Sequence, residues 1–177
     1  MAPEGSSIRH AVREDVPAIL RLIQELADYE KESDAVQATE ERLLATLSFD
    51  DDDDDAETAL SSARPARCLL AFNGGGEPVG LALYFYNYST WRARPGIYLE
   101  DLFVRATERG HGYGQRLLGL LAREVLDLGG ARLEWCVLKW NAPSIRFYER
   151  IGAKAMTEWQ TMRVDDEALA ALARKAE

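Results

Sequence analysis

The sequence predicts a single α/β domain built on a mixed, mostly antiparallel sheet with helices on both faces. Two β-rich runs, 67–72 and 79–88, are joined by a glycine-rich turn and should form an antiparallel hairpin. A strand, loop, helix and strand follow over 97–138, and such a unit joins parallel strands. The chain has 177 residues, of which 47% are hydrophobic, which is enough for one buried core but short for two.

The individual elements follow from hydrophobic periodicity and capping residues. Asp15 is predicted to cap a first helix, in which Leu22 and Leu26 fall on one face. The predicted elements are, in chain order, a strand at 7–12, helices at 16–29 and 39–47, strands at 67–72, 79–88 and 97–104, a helix at 112–128, a strand at 132–138, a helix at 143–150, a strand near 156–164 and a closing helix from 165.

The formal net charge of −9 arises mainly from one segment. The aspartates at 50–55 and Glu57 supply seven of the 30 acidic residues, and the other 23 nearly balance the 21 basic ones. The stretch 48–66 contains this run and lacks apolar periodicity, so we predict an acidic, mobile loop inserted at the surface of the domain. Because the chain has no basic patch, a nucleic-acid partner is not expected.

Other features of the composition narrow the setting and the chemistry. No run approaches the roughly 20 apolar residues of a membrane span, and the N-terminus lacks a signal-peptide pattern, so we expect a soluble, cytoplasmic protein with no membrane partner. Cys68 and Cys136 stand alone in apolar runs, which predicts buried free thiols in a reducing compartment. His10 and His111 are far apart in sequence, so neither a metal site nor a Ser–His–Asp triad is expected.

A glycine-rich segment lies directly between the strand at 97–104 and a leucine-rich helix. It consists of Arg109, Gly110, His111, Gly112, Tyr113, Gly114 and Gln115. Glycines let backbone N–H groups approach a ligand, and the N-terminus of the following helix attracts anions, so we predict a phosphate cradle. The spacing departs from G-x-G-x-x-G and lacks G-K-[ST], which disfavours a nucleotide-binding protein of a different fold.

Two adjacent carboxylates, Glu100 and Asp101, interrupt the apolar strand at 97–104. Because successive side chains of a strand alternate between faces, we expect one carboxylate on each face and at least one in a partly buried position. Such a carboxylate could have a raised pKa suited to proton transfer, or it could pair with a cationic substrate. The alternative is a structural salt bridge to an arginine.

The segment 140–153 carries the start and stop signals of a helix. Asn141 is the predicted cap, Pro143 lies in the first turn and Gly152 ends the helix. Tyr148 falls near the middle of this helix. From the residues alone, Tyr148 is predicted to pack in the core.

These motifs resemble those of a known family. The run from Arg109 to Gly114 is similar to the R-x-x-G-x-G/A acetyl-CoA loop of the GNAT acetyltransferases. The run N-A-P-S-I-R-F-Y-E-R-I-G-A, which begins at Asn141, resembles a segment of the diamine (spermidine/spermine) and thialysine acetyltransferase subfamily. The resemblance implies the GNAT fold, acetyl-CoA as co-substrate, no metal, and a homodimer. It also implies transfer of an acetyl group to the primary amine of a small molecule by direct attack in a ternary complex.

The resemblance also implies roles for individual residues. It implies that Tyr148 protonates the departing thiolate, and we expect Glu100 to accept the proton of the acceptor ammonium. Contacts to acetyl-CoA are expected from Leu102, Phe103, Val104, Arg109, Gly110, His111, Gly112, Tyr113, Gly114, Gln115, Asn141, Ala142, Pro143 and Ser144. Contacts to the acceptor are expected from Tyr29, Glu30, Glu100, Asp101, Glu134, Trp135 and Cys136.

Two other functions share the coenzyme loop. A protein lysine or N-terminal acetyltransferase would have an open acceptor groove, and a non-catalytic acyl-CoA-binding domain would not need Tyr148. The carboxylates near Tyr29 and Glu100 favour a small cationic amine. The sequence leaves open whether that amine is spermidine or spermine, another diamine, thialysine or lysine.

Overall fold

The computed structural model describes residues 3–49 and 60–176, and the chain forms two compact units, Met1–Cys136 and Val137–Glu177. The aspartates at 50–55, and with them most of the predicted acidic loop, lie outside the described residues. The single domain and the mobile loop therefore stay predictions. Within the described ranges, no helix is long and apolar enough to cross a membrane.

The first unit contains a five-stranded sheet whose spatial order follows the chain order. Its strands are β1 (Ser7–His10), β2 (Ala66–Phe72), β3 (Pro78–Ser89), β4 (Arg94–Val104) and β5 (Leu133–Trp135). Strands β1 to β4 pair antiparallel, whereas β5 runs parallel to β4. This confirms the predicted mixed, mostly antiparallel sheet.

Helices are distributed over both units. The first unit holds α1 (Val16–Glu30), α2 (Glu40–Thr46) and α3 (Tyr113–Asp127), and the second holds α4 (Ala142–Arg150) and α5 (Asp166–Ala173). Side chains of α1 and α2 cover one face of the sheet, where Leu22 of α1 and Leu43 of α2 share a buried cluster with Leu70 and Leu81. All five helices lie close to their predicted positions.

The other face of the sheet is covered by α3. Leu117 of α3 is fully buried, and the Tyr84 hydroxyl of β3 donates a hydrogen bond to Glu124 of α3 at 2.8 Å. The hydroxyl of Tyr86 also donates to Glu124, and Arg67 lies 3.8 Å from the same carboxylate. Burial raises the pKa of Tyr84, so its hydroxyl stays protonated and serves as a donor. These contacts fix α3, which begins at the glycine-rich segment, on the sheet.

The predicted strand near 156–164 does not form. Its large apolar side chains, Met156, Trp159 and Met162, are 67%, 67% and 82% exposed. A strand is stable only where one face is buried and a neighbouring strand supplies hydrogen bonds. Neither condition can be read from the sequence of this segment alone.

Two local predictions are also wrong. The Asp15 carboxylate does not cap α1; it accepts a hydrogen bond from the N–H of Val12 at 2.8 Å and pairs with Arg9 at 2.5 Å. It therefore closes the turn before the helix. Cys68 is buried as predicted, but Cys136 is exposed because β5 ends at Trp135 and not at 138.

The described ends of the predicted acidic loop are tied to the fold. Phe49 is only 5% exposed and packs in the cluster under α1 and α2. The N–H of Ser48 donates to the carbonyl of Ala66 at 2.8 Å. Ser48 and Phe49 are therefore parts of the core, which corrects the prediction of a surface loop at these two positions.

Candidate active site

The parallel strands β4 and β5 separate about halfway along β4. Their pairing runs from Ile97 opposite Leu133 to Leu99 opposite Trp135. Strand β4 continues to Val104 and stays paired with β3 on its other side. Its backbone over 100–104 therefore forms a strand edge, which can hydrogen bond to an extended ligand. The predicted coenzyme residues Leu102, Phe103 and Val104 lie along this edge.

A β-bulge occupies the same place on β4. In the pairing with β3, Leu83 lies opposite Asp101 and Tyr84 lies opposite Leu99, so Glu100 is the extra residue. The bulge interrupts the alternation of side chains. Alternation therefore no longer requires Glu100 and Asp101 to lie on opposite faces. Asp101 lies on the face covered by α1. Glu100 is exposed and close enough for its charge to act on Asp101.

Three carboxylates form what we call the acidic cluster: Glu30 at the end of α1, Glu100 in the bulge, and Asp101. Burial, together with the nearby charges of Glu100 and Glu30, raises the pKa of Asp101 to about 6. The pKa of Glu30 is also raised, mainly by burial and then by Glu32. No arginine or lysine among the described residues contributes to these two shifts, which argues against the structural salt bridge considered above.

A second group of polar side chains lies on the same face, further along the sheet. The rings of Phe85 and Tyr98 stack with centroids 5.2 Å apart, and Tyr98 pairs in register with Glu134 of β5. The Tyr98 hydroxyl lies 3.1 Å from Sγ of Cys136. This hydrogen bond, followed by burial, raises the pKa of Tyr98. The predicted acceptor residues Glu134 and Cys136 therefore border the same surface as the acidic cluster, whereas Trp135 pairs with Leu99.

The glycine-rich segment has the backbone that its glycines permit. Gly110 and Gly112 have φ values of 85° and 82°, which residues other than glycine rarely adopt. A Cβ added to either residue would have no heavy atom within 4 Å. Gly112 occupies the N-cap position of α3, followed by Gly114 and Gln115 in the first turn. The first N–H groups of a helix have no partner within it, so this open end can bind an anion.

Side chains of the segment have other contacts. The Nε–H of Arg109 donates to the carbonyl of Val104 at 3.0 Å, and its guanidinium lies 4.7 Å from the ring centroid of Tyr29. His111 lies 3.6 Å from Glu108, and Tyr113 is buried. Arg109 thus connects the glycine-rich segment to the end of α1, where Tyr29 precedes Glu30.

The second unit holds the remaining predicted residues. Asn141 is buried, and its side chain accepts a hydrogen bond from the N–H of Ser144 at 3.3 Å, which confirms the predicted cap of α4. Ala142 and Pro143 form its first turn. Tyr148 is partly buried, with its ring centroid 5.3 Å from that of Phe147. The catalytic role of Tyr148 stays a prediction.

Sequence reasoning missed Asn87 and Arg132. The Nδ2 of Asn87 donates to Glu134 at 2.8 Å, and Nε of Arg132 lies 2.7 Å from the same carboxylate as an ion pair. The signal was available for Arg132, because residues two apart on a strand share a face. Over 3–49 and 60–176, no three His, Cys, Asp or Glu side chains are grouped to hold a metal ion.

Two glycine substitutions test the conformation at the start of α3. Gly112→Ala should lower the free energy of unfolding by about 1–2 kcal/mol, because φ is 82° there. Gly119→Ala is the matched control: Gly119 lies within α3 with open space around it, so the variant should gain about 0.4–1 kcal/mol. Urea unfolding measures both changes, and effects of the same sign would contradict the left-handed assignment.

The pH dependence of stability tests the burial of Asp101. The pKa of Asp101 is about 6 in the folded chain and about 3.9 in the unfolded chain. Between these two pH values, the folded state therefore binds more protons than the unfolded state. Lowering the pH from 7 to 5 should therefore stabilise the wild type relative to Asp101→Asn, by on the order of 1 kcal/mol. Unfolding curves of the two proteins at both pH values give this difference, and a value near zero would show that Asp101 ionises normally.

Comparisons with known proteins agree with this geometry. The model of the acetyltransferase (GNAT) family matches residues 21–153. The chain is 40% identical over 176 residues to the thialysine N-epsilon-acetyltransferase of Bos taurus, covering 95% of this chain and 97% of that protein. It is 31% identical over 200 residues to the L-ornithine N5-acetyltransferase NATA1 of Arabidopsis thaliana, covering 94% and 87%.

Solved structures show the same fold at low sequence identity. An integron cassette protein from V. cholerae superposes with a TM-score of 0.74 at 22% identity, covering 96% of this chain and 98% of that one. An aminoglycoside acetyltransferase from a soil metagenomic sample gives a TM-score of 0.67 at 15% identity, covering 92% and 95%. Together with the family match over most of the chain, these findings show that the chain belongs to the GNAT family of acetyltransferases and is an N-acetyltransferase by class.

Proposed function

We propose that this enzyme transfers the acetyl group of acetyl-CoA to the side-chain amine of a small lysine-like amino acid or a diamine. The acidic cluster at the point where β4 and β5 separate carries this proposal. Three carboxylates, two of them with raised pKa values, meet there on a partly buried surface. Such a surface favours a ligand that brings positive charge.

The coenzyme fits two features of the first unit. The edge of β4 over 100–104 offers backbone groups to the amides of the pantetheine arm. The glycine-rich segment offers open space at Gly110 and Gly112 and the free N–H groups of α3 to the pyrophosphate. Acetyl-CoA supplies the acetyl thioester, and a backbone N–H of 102–104 stabilises the oxyanion that forms on the thioester carbonyl.

The acidic cluster prepares the acceptor for attack. An alkylamine with a pKa near 10.4 is neutral in only about one molecule in a thousand at pH 7, so its proton must be removed. Glu100 accepts this proton directly or through water, while Asp101 and Glu30 hold the ammonium in place. The neutral nitrogen then attacks the thioester carbon, releases its second proton to water, and the C–S bond breaks. Tyr148 donates its phenolic proton to the departing thiolate.

The type of acceptor is proposed from the relatives and from the aromatic residues of the site. The relatives above are named for thialysine and L-ornithine, which are both α-amino acids with a primary amine in the side chain. The stacked rings of Phe85 and Tyr98 offer an apolar wall beside the carboxylates, which suits an alkylammonium chain.

A homodimer is proposed on the family resemblance, and the exposed Trp159 and Met162 of the second unit suit an interface. Cytoplasmic location likewise remains a proposal.

Thiol release from acetyl-CoA tests the proposed function. We expect the purified protein to release CoA with at least one of thialysine, lysine, ornithine, putrescine, spermidine and spermine, and not with a lysine-bearing peptide. Release with the peptide alone would favour a protein acetyltransferase. Binding of acetyl-CoA without release for any acceptor would favour a non-catalytic acyl-CoA-binding domain.

Substitution of Tyr148 tests its role as general acid. Tyr148→Phe should lower kcat by about 100-fold or more, because general acid catalysis typically contributes at least that factor. The Kd for acetyl-CoA, measured by calorimetry, should stay within about twofold, since the hydroxyl acts on the thiolate formed later. Tyr88→Phe, at a tyrosine that is 59% exposed on β3, is the matched control. Equal activity of the two variants would remove Tyr148 from the mechanism.

A further inference from the structure

We propose that Asn87, Arg132 and Glu134, here called the distal cluster, bind the α-amino and α-carboxylate groups of an amino-acid acceptor. The proposal rests on the proposed function, because it concerns the far end of the same substrate. It assigns specificity to residues that lie outside the acidic cluster and explains how one enzyme could distinguish an amino acid from the corresponding diamine.

The distal cluster lies on the same face of the sheet as the acidic cluster. On β3, Leu83, Phe85 and Asn87 are each two residues apart and share the face covered by α1. Asp101 lies opposite Leu83, and Tyr98 lies opposite Phe85. Tyr98 is also in register with Glu134 on β5. The face therefore carries three successive rows of side chains. Asp101 lies in the first row, Tyr98 and Glu134 lie in the second, and Asn87 and Arg132 lie in the third.

The spacing of these rows fits a lysine-like chain. Two residues along a strand span about 6.8 Å, which is the distance from one row to the next. In lysine, five bonds of about 1.5 Å separate the side-chain nitrogen from the α-carbon, and they span about 6 Å when extended. Glu134 also lies one strand to the side of Asp101, so the two positions are about 8 Å apart. An extended acceptor whose side-chain amine contacts Asp101 therefore places its α-carbon within reach of the Glu134 side chain. Its carboxylate then lies beside Arg132.

Gly96 brings the members of the distal cluster together. It lies opposite Asn87 on β4, and a Cβ there would be 2.5 Å from Oδ1 of Asn87 and 2.8 Å from the carbonyl oxygen of Arg132. Only glycine allows the Asn87 side chain to pass over β4 and donate to Glu134 at 2.8 Å. The hydrogen bond thus joins β3 to β5 across β4.

The charges of the distal cluster match those of an amino acid. Nδ2 of Asn87 and Nε of Arg132 both contact Oε2 of Glu134, which leaves Oε1 to accept from an α-ammonium group. Arg132 and Glu134 have side chains that are 39% and 40% exposed, so a ligand can reach both. The guanidinium of Arg132 has five N–H donors. One on Nη2 donates to the carbonyl of Tyr88 at 3.5 Å, and the others that do not face Glu134 can donate to an α-carboxylate. A diamine offers no group for Arg132.

Paired acceptors separate this proposal from the proposed function. Each pair consists of an amino acid and the diamine obtained by removing its carboxylate: lysine with cadaverine, and ornithine with putrescine. The wild type should have a higher kcat/KM for the amino acid of each pair. Arg132→Gln should lower kcat/KM for the amino acids by about tenfold or more and leave the diamines nearly unchanged, because only the amino acids lose a charge-assisted hydrogen bond.

Two further variants complete the test. Glu134→Gln should weaken both members of each pair, because each has an ammonium group at the far end. Arg123→Gln, on the exposed side of α3, is the matched control and should change neither. Because the ratio within a pair is measured on one protein preparation, partial unfolding of a variant cancels out.

Two results would overturn the proposed role of the distal cluster while leaving the proposed acetyltransferase activity intact. One is an equal loss of kcat/KM for both members of a pair in Arg132→Gln. The other is a wild type that prefers the diamines. A wild type that acetylates no small amine would instead refute the proposed function, and the distal cluster with it.

Discussion

The bulge at Glu100 sets the geometry on which the rest of the candidate site depends. One extra residue in β4 changes which side chains share a face, and it does so where β5 leaves the sheet. The same strand therefore presents an open backbone edge and a partly buried carboxylate within a few residues. Both are costly for a folded protein when unpaired, because polar groups shielded from water need partners. A ligand that brings amides and a cation satisfies both.

Burial and charge give the two adjacent carboxylates different environments, which suit the different roles proposed for them. Asp101 is the less exposed of the two and has a pKa near 6, so its charge is easily lost when the pH falls or another carboxylate comes close. Glu100 is exposed in the bulge and can exchange protons with water. A buried group that holds the cation and an exposed group that passes on its proton make a reasonable pair for deprotonating an amine.

Much of this architecture could be predicted from the sequence, because its elements follow from local patterns. The helices that bury an apolar stripe and the glycine-rich segment between β4 and α3 were predicted within a few residues. The bulge was not predictable, since an alternating strand pattern says nothing about its partner's register. The prediction of a strand near 156–164 is wrong for a related reason: the local residues do not show whether a neighbouring strand is present, and Met156 and Trp159 remain exposed. Asn87 was missed because its partner, Glu134, is 47 residues away in sequence and lies two strands across the sheet.

The stacking of Arg109 on Tyr29 links the region proposed to bind acetyl-CoA to the region proposed to bind the amine. Arg109 belongs to the glycine-rich segment, and Tyr29 is adjacent to Glu30 of the acidic cluster. When one guanidinium contacts both the backbone of Val104 and the ring of Tyr29, ordering the segment also orders the end of α1. When acetyl-CoA and the amine bind there as proposed, the entropy lost in ordering the two regions is lost once for both ligands, and we expect the ligand that binds first to make the second bind more tightly.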